Sequence, residues 1–243
     1  MNNPTRPGTR PLSRKPRPQT GSKALAALAA AFLCLLPAFA GADAGSESLE
    51  KALALDRDGF YEDAAAAWET IIAAEPEKNI LLLAHLKLSS TCLDIARLDQ
   101  AVATAQAATR LAPASYDAYF HLANARSRQK DYTGSRTAFE KAVELRPGEG
   151  LGFIGLALSL FAGGDSAGAL KTLADAKAVF KKKRNIQWYQ DTRIMMQQIK
   201  GFAKYPPNFA DLWLENNLRL VRETYEKTIF VDGPPLAGQN PPH

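Results

Sequence analysis

Between Gly45 and Phe230 apolar residues recur three and four positions apart, and no segment alternates with a period of two. That spacing places apolar side chains on one face of a helix and predicts helices throughout. Ala and Leu are abundant while Val and Ile are sparse, which favours helix over strand. Pro76, Pro113 and Pro147 each close a helical run: AAAAWETIIAAEP, AVATAQAATRLAP and RTAFEKAVELRP. Proline stops a helix because its ring clashes with the preceding turn and it disfavours αR in the residue before it. Eight residues before these prolines stand Trp68, Ala105 and Phe139, and four earlier again Ala64, Ala101 and Ser135. A fourth copy begins at Gly164-Asp165-Ser166 and continues through Ala169, Leu173 and Ala176, with Lys181 in the proline slot. The first helix of each unit matches less evenly. Phe153, Leu156, Ala157 and Leu160 keep the spacing, as do Tyr119, Leu122 and Ala123. His85, Leu88, Ser89 and Cys92 approximate it, and Ser48, Lys51, Ala52 and Leu55 keep it least. Small residues at Ala52, Ser89, Ala123 and Ala157 let paired helices approach, and the aromatics fill the gap to the next pair. Each pair has an apolar face that only a neighbour can cover, so the units must stack.

This register resembles the tetratricopeptide repeat family, whose units are helix–turn–helix hairpins of about 34 residues. The resemblance covers residues 45–183 in four units, near 45–78, 82–115, 116–149 and 150–183, with a short insertion at Asn79–Leu81. It implies an all-α, right-handed superhelical solenoid of four such repeats, closed by a C-terminal helical hairpin or cap. It also implies a non-catalytic protein-interaction scaffold that binds a peptide or protein in its concave groove. The matching groove residues are Leu83, Leu86, Lys87, Ser90 and Asp94 in the second unit. The third gives Asp117, Phe120, His121, Asn124 and Arg128, and the fourth Leu151, Ile154, Leu158 and Phe161. From these, Lys87, Ser90, Phe120, His121, Asn124, Arg128 and Phe161 are the candidate binding residues. In related repeats an Asn at the place of Asn124 bonds the ligand backbone. Phe120 and Phe161 would form apolar pockets, and Lys87 and Arg128 could hold a carboxylate. The alternative is that the groove leucines are buried by superhelical curvature or by the C-terminal helices folding back. Chaperone-binding members use a clamp of two Lys, two Asn and an Arg. The matching positions here are Leu86, Ser90, His121, Leu151 and Gly155, or Leu49, Leu53, Lys87, Asp117 and His121, and neither set is the clamp.

After the fourth unit the repeat pattern breaks. Residues 185–203 predict one helix, Pro206-Pro207 a stop, and Asn208 an N-cap for a helix reaching about Phe230. Residues 184–230 read as a helical cap for the last open face. The alternative is a structural or self-associating assembly hairpin that docks a partner through Trp188, Trp213 and their aromatic neighbours. The tail 231–243, VDGPPLAGQNPPH, reads as disordered.

The 243 residues carry a formal net charge of +5. Six Lys/Arg and no Asp/Glu fall in residues 1–40, leaving 24 Lys/Arg against 25 Asp/Glu in the rest. The body therefore has no net field to attract phosphates, and no nucleic-acid partner is expected. Residues 24–40, ALAALAAAFLCLLPAFA, follow the basic stretch without a charge and end on Ala38-Phe39-Ala40. That order predicts a secretory signal peptide over 1–40, with Pro37 suiting an extended cleavage site. The expected location is the periplasm, within a bacterial envelope complex. The alternative is an inner-membrane anchor formed by an uncleaved 24–40. Bulky residues before Cys34 argue against a lipid anchor.

Little chemistry is evident. Cys92 is the one cysteine past the leader and lies on an apolar helix face, as filler rather than a reactive thiol. Gly150, Gly152 and Gly155 match GxGxxG, but a dinucleotide site needs a strand before the glycines. Here a proline-closed helix precedes them, so close helix packing is the expected role. His85, His121 and His243 show no metal-ligand spacing. Carboxylates are expected on solvated helix faces, and Lys181-Lys182-Lys183-Arg184 beside the carbonyls of a helix end. No catalytic residue, metal or cofactor is expected.

Overall fold

The computed structural model describes residues 37–230, with side chains from residue 45 onward except at a few positions near the last helix. Most of the predicted leader, Cys34 included, and the tail 231–243 lie outside the described residues. All contacts below belong to the compact unit that begins at Gly45. The described residues form ten α-helices and no strand. They pair as α1 (Pro37–Arg57) with α2 (Tyr61–Ala73), α3 (Lys78–Asp94) with α4 (Leu98–Leu111), α5 (Tyr116–Arg128) with α6 (Tyr132–Leu145), and α7 (Gly150–Ala162) with α8 (Ser166–Lys182). Then come α9 (Ile186–Gly201), a 3-10 turn (Phe202–Lys204) and α10 (Pro207–Phe230).

Each turn between paired helices is built alike. Gly59, Ala96, Lys130 and Gly164 all take a left-handed backbone, with φ of 83°, 59°, 62° and 87°. The next N–H then reaches back to close the preceding helix: Phe60 to the Leu55 carbonyl, Arg97 to Cys92, Asp131 to Arg126 and Asp165 to Leu160, all 2.8–3.0 Å. The following helix starts with a side-chain cap where the sequence offers one. Asp131 accepts from the Gly134 N–H at 2.9 Å and Asp165 from the Gly168 N–H at 2.8 Å. The prolines act as expected. Helices α2, α4 and α6 are 13 or 14 residues long and stop just short of Pro76, Pro113 and Pro147, whereas α8, with Lys181 in that slot, runs for 17.

Successive hairpins pack through the residues singled out by the repeat. Ala52, Ala64, Trp68, Ala101, Ala105, Ala123, Phe139, Ala157, Ala169, Leu173 and Ala176 are all fully buried. Helix α7 has no room at its glycines. A Cβ at Gly155 would overlap the Phe139 ring, one at Gly150 would overlap Phe180, and one at Gly152 would lie 2.9 Å from the Tyr116 hydroxyl. The GxGxxG match is therefore a packing seam. A hydroxyl chain runs beside it, with Ser135 Oγ 2.5 Å from Ser127 Oγ and 2.8 Å from Ser159 Oγ. Cys92 is fully buried, and burial pushes its thiol up to about 11. It is inert filler at neutral pH.

Two local expectations need correction. Pro37 is the first residue of α1 rather than part of an extended segment, and Pro207 rather than a cap precedes Asn208 within α10. Proline suits the first helical position because the N–H it lacks would have no helical partner there. The C-terminal pair also divides. Helix α9 continues the stack, with Trp188 against Phe180 at 5.9 Å between ring centroids. Helix α10 turns back and packs on α5 and α7, the first helices of the third and fourth hairpins.

Candidate functional site

The first helices α3, α5 and α7 touch one another and form an inner layer. Its open face is the groove, and α10 lies in it. The anchors are spread along the length of α10. Trp213 meets Phe161 edge-on at 5.5 Å and donates from Nε1 to Gln198 Oε1 at 2.8 Å. Glu215 accepts from Arg128. Tyr225 lies over Phe120 at 4.0 Å between centroids, 5.4 Å from the Tyr116 ring, and its hydroxyl donates to Asp117. Arg146 holds the other side of Asp117, at 3.2 and 3.3 Å.

Arg222 is the most connected of these side chains and is 6% exposed. Its guanidinium donates to both Asp94 oxygens, at 2.5 and 3.3 Å, and to Ser90 Oγ at 2.8 Å. Glu226, one turn along, approaches the same guanidinium at 3.4 Å and accepts from Ser90. Burial works against the Arg222 charge, yet Glu226 and Asp94 hold its pKa above the ordinary value. Burial likewise raises Glu226, against the pull of Arg222 and Ser90.

Each sequence-predicted groove residue can now be placed. Ser90, Phe120, His121, Arg128 and Phe161 all meet α10 side chains. Lys87 points instead to the first hairpin, 3.1 Å from Asp56. Asn124 is 3% exposed and donates to the Phe120 carbonyl of its own helix at 2.8 Å. His121 is 1% exposed, and burial, then Arg222 and Lys87, lower its pKa to about 3. It is therefore a neutral imidazole. The leucines Leu83, Leu86, Leu151 and Leu158 are buried, so they are packing residues rather than open pockets.

The packing between α10 and the groove is incomplete. A cavity of about 150 Å³ remains, walled by Leu93, Asp94, Asn124 and Arg128 on the groove side and by Leu218 and Arg222 on α10. Among the described residues no cluster of His, Cys, Asp and Glu could hold a metal ion, and no helix is long and apolar enough to cross a membrane.

Residue-by-residue reading missed Arg222 and Glu226, and it gave no role in the groove to Tyr225 and no partner to Asp94 and Asp117. The general expectation of solvated carboxylates fails at Asp56, Asp94, Asp117 and Glu226, each of which holds a partner from another helix. A signal was present. Trp213, Val221 and Tyr225 fall on one stripe of α10, and Arg222 and Glu226, spaced by four, flank it. The two tryptophans offered as docking aromatics, Trp188 and Trp213, are each 7% exposed and serve internal packing.

A tetratricopeptide repeat family profile matches residues 49–90 and 86–150. Residues 49–150 therefore carry tetratricopeptide repeats. Solved structures share the fold. A crystal structure of MamA protein is 19% identical over 81% of this chain and 98% of that one, with a TM-score of 0.54. MamA from Desulfovibrio magneticus RS-1, residues 41 to the end, is 20% identical over 57% of this chain and 76% of its own, with a TM-score of 0.53. YrrB, described as a TPR protein with an unusual peptide-binding site, is 17% identical over 57% and 70%, with a TM-score of 0.50. No curated protein matches the sequence. The repeat array is a protein-interaction scaffold, and its general class of partner is a protein or peptide.

Proposed function

We propose that this repeat protein is an exported, non-catalytic scaffold of the bacterial envelope, and that the groove of α3, α5 and α7 binds a segment of a protein partner. The observation that carries this reading is the groove itself. Acids at Asp94 and Asp117, a base at Arg128 and rings at Phe120 and Phe161 converge on one face and hold a helix there. The peptide-binding site named for YrrB supports the same use of the fold. Export rests on the basic leader, the uncharged stretch 24–40 and Ala38-Phe39-Ala40.

A photocrosslinker at Asn124, which lines the cavity, tests the groove in cells. Adducts with an envelope protein are expected from that position and not from Lys141 on the outer surface of α6. Adducts from Lys141 alone would discard the reading. Intact mass of the captured protein tests export, with a mature N-terminus near Gly41 expected.

A second reading, assembly through the C-terminal pair, is favoured by Ile186 and Ile194, which are 69% and 55% exposed on α9. Ile194→Asp should then abolish self-association in sedimentation, and a chain monomeric before the change would remove this reading.

A further inference from the structure

We propose that α10 is an exchangeable resident of the groove, standing in for the partner. The partner is then an amphipathic helix that presents an Arg to Ser90 and Asp94 and, one turn later, an aromatic hydroxyl to Phe120 and Asp117. This inference rests on the groove being the partner site.

Three observations carry it. The first is the character of the contact. The seams along α7 are closed by glycines against rings, whereas α10 adds to its buried Trp213, Leu214, Leu218, Val221 and Tyr225 a set of separate polar anchors: Arg222 on Asp94 and Ser90, Tyr225 on Asp117, and Glu215 on Arg128. Polar pairs of this kind fix register and select partners more than they add stability. The second is fit. The cavity of about 150 Å³ between α10 and the groove is wide enough for several waters. Asn124 beside it bonds back to its own helix and leaves α10 ungripped. A ligand with a bulkier side chain at the place of Leu218 would fill space that α10 leaves empty. The third is connection. Helix α10 joins the array only through the short 3-10 turn and Tyr205-Pro206, so it can leave as one body.

The anchors also specify the ligand. The groove offers a base at Arg128, acids at Asp94 and Asp117, and a ring at Phe161. Helix α10 answers with an aromatic at Trp213, an acid at Glu215, a base at Arg222 and a phenol at Tyr225. An extended strand, rising about 3.3 Å per residue, would carry Glu215 and Tyr225 about 33 Å apart, against about 15 Å along a helix. The occupant this groove matches is therefore helical, with the pattern aromatic-x-acid-x6-Arg-x2-Tyr.

The test uses a fluorescein-labelled peptide of residues 207–230 as the probe and the full chain as receptor. Wild-type protein should bind it weakly, because its own α10 competes. A full chain carrying Arg222→Ala and Tyr225→Ala should bind the wild-type peptide at least tenfold more tightly. Adding Asp94→Asn to that chain should reverse the gain, as should Arg222→Ala in the peptide. A double variant that is helical by circular dichroism but binds the peptide no better than wild type overturns the proposal. Hydrogen exchange on the unmodified chain gives a second readout that needs no variant to fold. Amides of α10 should exchange at least tenfold faster than those of α5 and α7, and exchange of α10 only with the whole array overturns the proposal. Peptide exchange without crosslinking at Asn124 would sink the envelope-partner reading alone. Crosslinking at Asn124 without peptide exchange would sink this inference alone.

Discussion

Arg222 and Asp94 stand 128 positions apart in the chain, and a guanidinium nitrogen of one lies 2.5 Å from a carboxylate oxygen of the other. This pair, with Ser90 and Glu226 around it, seats α10 against α3. Arg222→Ala would leave the Asp94 and Glu226 carboxylates facing each other with no cation between them. A loss of about 2–4 kcal/mol of local stability is expected. The loss should appear as faster amide exchange along α10, with little change in α5. Uniform loosening of the whole array would show that the pair braces the solenoid instead.

Gly155 faces Phe139 with no space for a methyl group. Gly155→Ala should destabilise the array by about 1–3 kcal/mol through overpacking. Phe139→Leu, itself costly, should partly rescue it when combined, giving a clear coupling energy in a denaturant double-mutant cycle. Strict additivity would contradict the contact.

His121 should make the fold acid-sensitive. Its folded pKa, about 3, lies below the ordinary 6.5. The stabilisation from a neutral folded imidazole is therefore complete above about pH 6.5 and is lost as pH falls toward 3. Near pH 4 the loss should approach about 3 kcal/mol. His85, lowered by burial and Arg110, adds to the same slope. His121→Gln should flatten the denaturation midpoint against pH between 4 and 6.5. An unchanged slope would place the acid sensitivity elsewhere.

Ala96 holds the left-handed turn position that Gly59 and Gly164 hold in their hairpins. Ala96→Gly should relieve the Cβ clash there, and after the extra entropy of the unfolded glycine it should stabilise the protein by about 0.5 kcal/mol. The midpoint of thermal unfolding should rise by about 1–2 °C.

The helical array was legible because its determinants are local. Trp68 and Phe139 sit at fixed distances from Pro76 and Pro147, and each proline ends its helix without help from distant contacts. Even the longer α8 follows from one residue, Lys181, in place of a proline. The return of α10 was legible only as a possibility. The stripe of Trp213, Val221 and Tyr225 announces an amphipathic helix but not the surface it meets. Asp94 and Asp117 look like any exposed helix carboxylates until Arg222 and Tyr225 arrive from more than a hundred residues away. The face shared by Ser90, Phe120, Asn124 and Arg128 was readable from repeat register, and what lies on that face was not.

The length of those connections sets an order of events. Hairpins α1–α2 through α7–α8 form from contacts within one or two repeats, which close quickly. The Arg222, Tyr225 and Glu226 contacts span 108 to 136 residues, and they wait for most of the array to exist. As an exported chain leaves its channel N-terminus first, α3, α5 and α7 emerge before α10. Every newly made molecule therefore passes through an interval in which the inner face is assembled and bare. A partner present where the chain emerges meets no competitor in that interval, whereas one arriving afterwards must displace α10.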